Sequence, residues 1–386
     1  MQYCTKCVYP AVAATPVTFD ADGVCSGCRV GLNKVAIDWN ERKRLFIDLI
    51  DQYRTESEYD CILPVSGGKD SYRAAHIAKE FGLKALLVTY HGNNYLPEGE
   101  TNLKRMREVF PFDHIVFRPS QDALIRLNRA GFTKTGDMNW HCHAGIFTYP
   151  MQIAIKYKIP LVFWGDHGFT EHGGMYTHND FFEFTAKDRY ENGLHGYDWF
   201  DFEGVEGLTK KDLQFLMYPD DAAIMDVGLR GIYLSNYFPF DGAVNAEIAR
   251  DQYGWLEAQQ SFDRTYRRVS NVDDMHENGV HDYMKFIKLG YGRASDHAQY
   301  DIRAGRMTRE EGIAMVRKYD HVKPSDIVRW LSYTGMTEDE FDAIADTFRN
   351  HRVWSIQDGQ WVKENIWGGT SSYGPVKGLP EWAKTA

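Results

Sequence analysis

The sequence has little of three features: long apolar runs, excess positive charge, and cysteine beyond residue 28. No run approaches the roughly 20 apolar residues that cross a bilayer, and "MQYCTKCVYP" is not a basic segment followed by an apolar one. The formal net charge of −10 predicts no general attraction to nucleic acid or to anionic membranes. We therefore expect a cytoplasmic protein without a nucleic-acid or membrane partner. With 386 residues, 43% of them hydrophobic, the chain can bury a sizeable core.

Four of the six cysteines lie near the start of the chain, at Cys4, Cys7, Cys25 and Cys28. Their C-x2-C-x17-C-x2-C spacing suits four thiolates around one tetrahedral zinc ion. Chance clustering or redox thiols are the alternatives, but both pairs lie in turn-forming sequence. We predict a structural zinc ion that folds a ribbon over residues 1–35. Because the protein fills every coordination position, this ion has no catalytic role.

The pattern that follows the cysteines is typical of an α/β domain. Apolar segments predict strands at 59–65, 84–90, 113–119 and 159–165, with a further strand near 229–242. Between and before them, helices are predicted at 38–57, 71–81, 99–110, 120–131 and 145–158. This alternation favours a parallel sheet covered on both faces, over residues 36–240. Pro64 removes a ladder donor, so pairing should stop there. Residues 241–386 are predicted to form a mainly helical region for substrate or partner binding, with a surface loop over 368–382.

The turn "SGGKDS" (66–71) joins the first predicted strand to a helix. The first N–H groups of a helix carry partial positive charge and bind phosphate. Gly67 and Gly68 let the backbone approach such a ligand, Ser66 and Ser71 add hydroxyl donors, and Lys69 adds charge. The spacing differs from the GxxxxGK[ST] loop. The residues themselves therefore predict a phosphate cradle of another kind.

S-G-G-x-D-S after a strand resembles the pyrophosphate loop of the PP-loop ATP pyrophosphatase superfamily. The resemblance implies a Rossmann-like, adenine nucleotide alpha hydrolase-like fold that splits ATP between its α and β phosphates and passes AMP to a substrate oxygen. It assigns the six loop residues to ATP binding, with Lys69 and Asp70 as catalytic residues and Asp70 near Mg²⁺.

A second polar stretch, "WGDHGFTEHGG" (164–174), follows a predicted strand and should lie at the carboxyl edge of the sheet. Asp166 and Glu171 are oxygen ligands suited to a hard cation, so we predict that they help to bind Mg²⁺ and ATP. The alternative is that both are surface carboxylates in a loop.

At the level of the whole chain, the sequence resembles the N-acetyl sugar amidotransferase family of surface-polysaccharide and nonulosonic-acid pathways. The resemblance implies that ATP adenylates the acetamido oxygen of a nucleotide-linked N-acetyl sugar, and that ammonia then displaces AMP to leave an acetamidine. The motifs that carry it are YCTKCVYP (3–10), FDADGVCSGC (19–28), VSGGKDS (65–71), CHAGIFTYP (142–150), EHGG (171–174), KLGYGRASDHAQYDIRAGRMTREE (288–311) and VRKYD (316–320).

Helical phase in the longest of these motifs suggests substrate contacts. A helix over 292–304 places four polar residues on one face: Arg293, Asp296, Tyr300 and Arg303. We predict that Arg293, Asp296 and Arg303 contact substrate, with an arginine pair clamping phosphate, and that Arg293 and Lys288 act in catalysis. A salt-bridged structural face is the alternative.

The sequence has neither of two common glutaminase signatures that would indicate a built-in source of ammonia. Gln2 follows Met1 where one glutaminase type needs a cysteine, and "HCHAG" (141–145) does not match the Gly-x-Cys-x-Gly elbow of the other. The resemblance therefore implies a separate glutaminase subunit, with or without a cyclase-like partner, that delivers ammonia to this chain.

Two other functions stay open at the level of sequence. A PP-loop sulfur transferase acting on RNA would need reactive cysteines, and only Cys61 and Cys142 remain outside the zinc set. Cys142 is interpreted as a packed residue, although with His141 and His143 it could also be a reactive thiol or a metal ligand. A zinc-ribbon scaffold protein with an inactive nucleotide site is the second alternative, and the intact loop at 66–71 disfavours it.

Overall fold

The computed structural model describes residues 1–54, 58–269 and 275–384. Its main sheet has six strands in the spatial order β3-β2-β1-β4-β6-β5, all parallel except β5, and a smaller antiparallel sheet has the order β7-β8-β9. The strands are β1 (Cys61–Pro64), β2 (Ala85–Tyr90), β3 (Asp113–Phe117), β4 (Leu161–Trp164), β5 (Glu183–Phe184), β6 (Arg230–Tyr233), β7 (Ser355–Gln357), β8 (Gln360–Glu364) and β9 (Thr370–Pro375).

Helices surround the main sheet and form most of the C-terminal region. The α-helices are α1 (Ser26–Asn33), α2 (Trp39–Tyr53), α3 (Lys69–Glu80), α4 (Pro97–Val109), α5 (Gln121–Thr135), α6 (Trp140–Tyr157), α7 (Gly168–Gly173), α8 (Ala186–Asp188), α9 (Lys210–Leu213), α10 (Asp221–Val227), α11 (Gly242–Tyr253), α12 (Asn278–Leu289), α13 (Arg293–Arg303), α14 (Arg309–Tyr319), α15 (Ile327–Thr334), α16 (Glu338–Asp346) and α17 (Glu381–Lys384). Of the described helices, none is long and apolar enough to cross a membrane.

The central strands are apolar on both faces because helices cover both faces. In β1, Cys61 and Leu63 pack in one core with Phe46 of α2, whereas Ile62 packs in another core with Met151 of α6. This alternation follows from the two-residue period of a strand. It confirms the predicted α/β fold with a parallel sheet.

The helix and strand predictions hold for this part of the chain, with shifted ends. The strand β1 ends at Pro64, opposite Val88, but one further hydrogen bond to β2 follows, from Val65 N to Val88 O (3.0 Å). Pro64 therefore does not stop the pairing by lacking a donor, because the donor that β2 uses at this position belongs to Val65. The helix α6 begins at Trp140, five residues before its predicted start. The predicted helix over 38–57 is observed as α2, and residues 55–57 lie outside the described residues, as do residues 270–274 of the region predicted to be mainly helical.

The prediction of a surface loop over 368–382 was wrong. Residues Thr370–Pro375 form β9, which pairs with β8, and β8 also pairs with β7 across a two-residue turn. That turn, Asp358 and Gly359, has positive φ at both residues, the conformation that joins tight hairpins. The fully buried side chain of Trp361 anchors the small sheet.

The predicted boundaries after residues 35 and 240 stay predictions. One observation bears on the second of them, since α11 packs on α3 and contributes Ala246 and Ala249 to the core of the main sheet. The residues just after 240 are thus packed as part of the α/β layer.

Candidate active site

The strand order places two loops side by side at the carboxyl edge of the sheet. From β1 the chain winds outward to β2 and β3, then returns to β4 on the other side of β1. Ligands of such sheets bind in the crevice where the winding reverses. The loop 65–68 follows β1 and Asp166 follows β4, so the two stretches predicted to bind ATP meet at this point.

The loop 65–68 has a backbone that its own side chains and a neighbouring helix hold in place. Ser66 N donates to Ser71 Oγ (2.9 Å), and Gly68 N donates to Ser66 Oγ (3.3 Å). Gly67 has φ +89°, and a Cβ there would lie 2.8 Å from the backbone of Leu103. Gly67 is therefore required by conformation and by packing.

Asp70 lies in the first turn of α3, where the helix dipole favours a carboxylate. Asn245 Nδ2 donates to Asp70 Oδ1 (2.7 Å), and Lys69 Nζ lies 3.0 Å from Asp70 Oδ2. Lys69 is buried with its Nζ held at this carboxylate. The contact from Asn245 on α11 was missed from the sequence, because 175 residues separate the partners and no local pattern signals it.

Three predicted metal ligands, Asp70, Asp166 and Glu171, line one cavity, but they are not among the described groups whose ligand atoms all lie within 4.8 Å of one another. Burial, together with the charges of Asp70 and Glu171, raises the pKa of Asp166 to about 7. Carboxylates that repel one another in this way fit a hard divalent cation, which would restore their charged forms. Glu171 also has a protein partner, Lys34, whose Nζ lies 2.7 Å from Glu171 Oε1.

Asp70 and Asp166 form a wall between two cavities. The first cavity, on the α6 side of the sheet, is lined by aromatic side chains that include Phe147, Trp164 and Phe184. The second, lined by α1, α7, α11 and α13, carries the cationic side chains Lys34, Arg267, Arg303 and Arg306. Both cavities contain the two carboxylates in their lining. The two cavities therefore adjoin at Asp70 and Asp166.

The four N-terminal cysteines have the geometry of a zinc site. All are buried, and the Sγ–Sγ distances are 3.9 Å for Cys4 to Cys28 and 3.8 Å for Cys7 to Cys25. Corners of a tetrahedron with 2.3 Å zinc–sulfur bonds lie about 3.8 Å apart. Backbone N–H groups point at the sulfurs, with Cys25 N donating to Cys4 Sγ at 3.2 Å. The residues present thus fit a structural zinc ion, which these four thiolates would hold.

Arg303 links this cysteine cluster to helix α7, which carries Glu171. Its guanidinium donates to the carbonyl oxygens of Glu171 (2.6 Å) and His172 (3.1 Å), and it reaches Cys25 Sγ at 3.5 Å. A Cβ on Gly27 would collide with both this guanidinium and His172 O. The predicted ribbon therefore sets the position of α7, which carries Glu171.

The structure separates Arg293 and Asp296 from the two cavities. Helix α13 is where the sequence predicts it, but Arg293 donates to Asp282 (2.6 Å) and Asp296 (3.2 Å) inside a buried network. Lys285 Nζ also lies 2.5 Å from Asp296. Against the effect of burial, Arg293 and Arg264 lower the pKa of Asp282, and Lys285 and Arg293 lower that of Asp296. Neither Arg293 nor Asp296 lines a described cavity, so their predicted substrate contacts gain no support.

Lys288 also lies apart from the loop at 66–71. Burial lowers the pKa of Lys288, and its charge acts on Asp137 rather than on Asp70. Of the predicted substrate and catalytic residues beyond the loop, Arg303 is the one that lines a cavity with Asp70.

The run His141-Cys142-His143 does not form one ligand set. His141 is fully buried, with Nε2 3.3 Å from Asn128 Nδ2, and burial lowers its pKa to about 3. Cys142 is buried and packs near Gly92. His143 alone points toward other ligand-type side chains, Asp137 and His281.

One comparison with known proteins locates a match in the C-terminal region of the chain. Residues 260–366 match the family model described as "LPS biosynthesis protein WbpG-like, C-terminal domain". Comparison with the curated proteins gives no match.

Two solved structures overlap about half of the chain. They are an NH3-dependent NAD synthetase from Campylobacter jejuni (15% identity, TM-score 0.30, covering 50% of this chain and 92% of that one) and an NMN synthetase from Francisella tularensis (14%, 0.29, 52% and 93%). At these TM-scores neither carries an argument, and the fold rests on the strand order itself. The match over residues 260–366 supports the resemblance for that region, which is similar to a WbpG-like C-terminal domain and follows a mostly parallel sheet whose first strand leads into the SGGKDS turn (66–71).

Proposed function

We propose that this chain is an ATP-dependent amidotransferase that converts the acetamido group of a nucleotide-linked N-acetyl sugar into an acetamidino group, with AMP and pyrophosphate as products. The observation that carries the proposal is the wall formed by Asp70 and Asp166 between two cavities. Adenylation requires two bound substrates whose reacting atoms come into contact. Two adjoining cavities that share Asp70 and Asp166 support binding of this kind.

The first cavity suits ATP. Its aromatic walls offer stacking surfaces for adenine, and Asp70 and Ser71 in its lining belong to the first turn of α3, where the helix N-terminus favours phosphate oxygens. Mg²⁺ held by Asp70 and Asp166, with or without Glu171, would neutralise charge on the phosphates and stabilise the departing pyrophosphate. The chain's own part is to hold ATP, through the loop at 66–71 and its Lys69, with its α phosphorus facing the second cavity.

The second cavity suits the anionic sugar nucleotide. Arg267, Arg303 and Arg306 line it, and Arg306 Nη1 lies 2.8 Å from Asp241 at its rim. Guanidinium groups bind phosphate oxygens in a forked geometry, which favours the diphosphate of the carrier. The WbpG-like match, a lipopolysaccharide family, supports a sugar substrate of this kind.

The chemistry proceeds in two displacements. The acetamido oxygen attacks the α phosphorus of ATP, and the bond to the β-phosphate oxygen breaks to release pyrophosphate. Ammonia then adds to the activated carbon, the carbon–oxygen bond breaks, and AMP leaves with the former acetamido oxygen. A proton lost from the nitrogen completes the acetamidine. An amide needs this activation because its own oxygen is a poor leaving group, and a site that excludes water protects the AMP ester.

The ammonia is proposed to come from a separate glutaminase subunit, with or without a cyclase-like partner. Free ammonium should replace that subunit in vitro, since the second step needs only the nucleophile. This part of the proposal rests on the sequence, which has no glutaminase signature of the two types considered above.

The competing function, sulfur transfer to RNA, is less well supported. Within the described residues, neither cavity is lined by a cysteine. Cys61 lies in β1, where burial raises its pKa, and Cys142 is buried near Tyr90. A thiol without access to the ATP site is a poor persulfide carrier.

The test is to incubate the purified protein with ATP, Mg²⁺, ammonium and a panel of nucleotide-linked N-acetyl sugars, then to measure AMP and the mass of each sugar. We expect AMP together with one sugar in which NH has replaced O. The Asp166→Asn variant should lose both products, while Asp51→Asn, an exposed carboxylate on α2, should keep them.

The same assay distinguishes the alternatives. AMP formed only with RNA and a sulfur donor would replace this proposal by sulfur transfer. No AMP with any acceptor, even after addition of a glutaminase subunit, would favour a scaffold protein with an inactive nucleotide site.

A further inference from the structure

A second cluster of ligand-type side chains lies outside the two cavities that Asp70 and Asp166 line. Asp137, in the turn between α5 and α6, faces His143 in the first turns of α6 and His281 in the first turn of α12. One ligand atom from each of the three lies within 4.8 Å of the others. They come from sequence positions up to 144 apart, so no local motif announces the cluster.

The distances suit a shared cation better than direct hydrogen bonds. Asp137 Oδ2 is 3.5 Å from His143 Nδ1, and Asp137 Oδ1 is 3.8 Å from His281 Nε2. Both exceed the usual 2.7–3.2 Å of an N–H···O bond. Two ligand atoms at about 2.1 Å from one metal ion in tetrahedral geometry lie about 3.4 Å apart.

The surroundings of His281 orient it as a metal ligand would be oriented. Its Nδ1 lies 3.3 Å from Asp282 Oδ1, which leaves Nε2 free to face Asp137 and His143. Asp282 is itself fixed by Arg293 and Arg264. A histidine that donates one ring N–H to a carboxylate and turns the other nitrogen inward is the usual support of a metal site. Asn139 N fixes Asp137 by donating to Oδ1 (2.9 Å).

Exposure distinguishes this cluster from the cysteine site. The side chain of His143 is 33% exposed, whereas the four cysteines are buried. Three protein ligands with an accessible side leave a coordination position for water or a substrate atom. His143 and Phe147 lie four residues apart on α6, hence on one face, and Phe147 lines the first cavity. The cluster therefore lies about one helical turn from the aromatic wall of the proposed ATP cavity.

We propose that Asp137, His143 and His281 bind a divalent first-row transition metal ion of the zinc class, with one coordination position open. Two imidazoles and a carboxylate are ligands of intermediate softness, which suits such an ion better than Mg²⁺. Lys288 adds a cationic group nearby, so an anion is the competing occupant. The carboxylate of Asp137 at the centre disfavours an anion, and for that reason the structure assigns a cation.

The experiment uses cobalt as the probe on full-length protein that retains its cysteine-bound zinc. Wild-type protein should bind one further equivalent of Co²⁺ at micromolar concentration, with visible d–d absorption and no thiolate charge-transfer band. His143→Ala and His281→Ala should each weaken this binding at least about tenfold. His351→Ala, which removes an exposed histidine elsewhere, should leave it unchanged.

Three results would overturn the proposal. They are no additional equivalent in wild-type protein, an additional equivalent that survives in both histidine variants, or a rise in Tm with inorganic phosphate but not with cobalt. Should His143→Ala fail to fold by circular dichroism, His143→Gln and His281→Ala carry the test, since each removes one nitrogen ligand.

Discussion

Two clusters of charged side chains on this chain use the same residue types and differ in how completely the charges are paired. Around Arg293, the carboxylates of Asp282 and Asp296 are matched by guanidinium and ammonium groups, and Arg293 and both carboxylates are buried. Around Asp70, burial and the like charges of neighbouring carboxylates raise the pKa of Asp166 to about 7. Asp166 also lines two cavities. A closed network stabilises or specifies the fold, whereas an unbalanced cluster that lines a cavity is a candidate site for a cation and substrates.

The largest expected effect is on the closed network. Arg293→Ala leaves two buried carboxylates with an incomplete set of partners, so the free energy of unfolding should fall by about 3–5 kcal/mol. Urea denaturation measures it. An unchanged stability combined with loss of AMP formation would contradict the comparison and restore the substrate clamp that the sequence predicted for Arg293.

The matched change in the open cluster is Asp70→Asn. It keeps the shape of the side chain and removes its charge, so AMP formation should fall by about 100-fold or more while zinc content stays as in wild type. Stability should fall by less than in Arg293→Ala, because the change removes one ionic partner of the buried Lys69 and also relieves the repulsion between Asp70 and Asp166. Steady-state kinetics, urea denaturation and metal analysis measure the three quantities. Asp51→Asn serves as the control. Undiminished turnover in Asp70→Asn would refute the assignment of the loop at 66–71.

A smaller effect on AMP formation is expected from Arg303, which joins the cysteine cluster to helix α7. Arg303→Lys cannot reach both carbonyl oxygens and Cys25 Sγ at once, and it loses one or two charge-assisted hydrogen bonds. We expect AMP formation to fall about tenfold, roughly 1.4 kcal/mol, with zinc retained. Wild-type activity in this variant would show that the ribbon does not position α7.

The smallest effect concerns buried neutral groups that belong to neither cluster. Burial lowers the pKa of His114 to about 4 and that of His141 to about 3. As pH falls below about 6.5, these histidines become protonated in the unfolded chain but stay neutral in the folded chain. The free energy of unfolding should therefore decline by up to about 1.4 kcal/mol per pH unit for each group. His114→Gln should flatten the slope of unfolding free energy against pH between 6.5 and 4. An equal slope in the variant would show that His114 does not contribute.

The sequence predicts the parts of the molecule that depend on neighbours along the chain. Five of the six strands of the main sheet, the loop at 66–71 and the spacing of the four cysteines are local patterns, and each has its counterpart in the structure. The two-residue edge strand β5 was missed, and the strand predicted near 229–242 is confined to Arg230–Tyr233. The meeting of Asp70 with Asp166 follows as well, because the carboxyl ends of parallel strands share one edge.

What the sequence does not predict depends on distant partners. From sequence, Arg293 is predicted to clamp phosphate, whereas in the fold its guanidinium donates to Asp282. His143 is considered together with its sequence neighbour Cys142, whereas in the fold it lies beside His281 of α12. The small sheet was missed for another reason. Its strands are short, and two of them are mostly polar, so periodicity is weak and only the Asp358-Gly359 turn gives a signal.

The most direct test of the central claim follows one oxygen atom. The nucleotide-linked sugar is prepared with oxygen-18 in its acetamido group and incubated with the protein, ATP, Mg²⁺ and ammonium, and the AMP is analysed by mass spectrometry. The account predicts that each AMP formed carries one oxygen-18, because the amide oxygen attacks the α phosphorus and leaves with it. AMP without the label, formed alongside an acetamidino sugar, would contradict adenylation of the acetamido group.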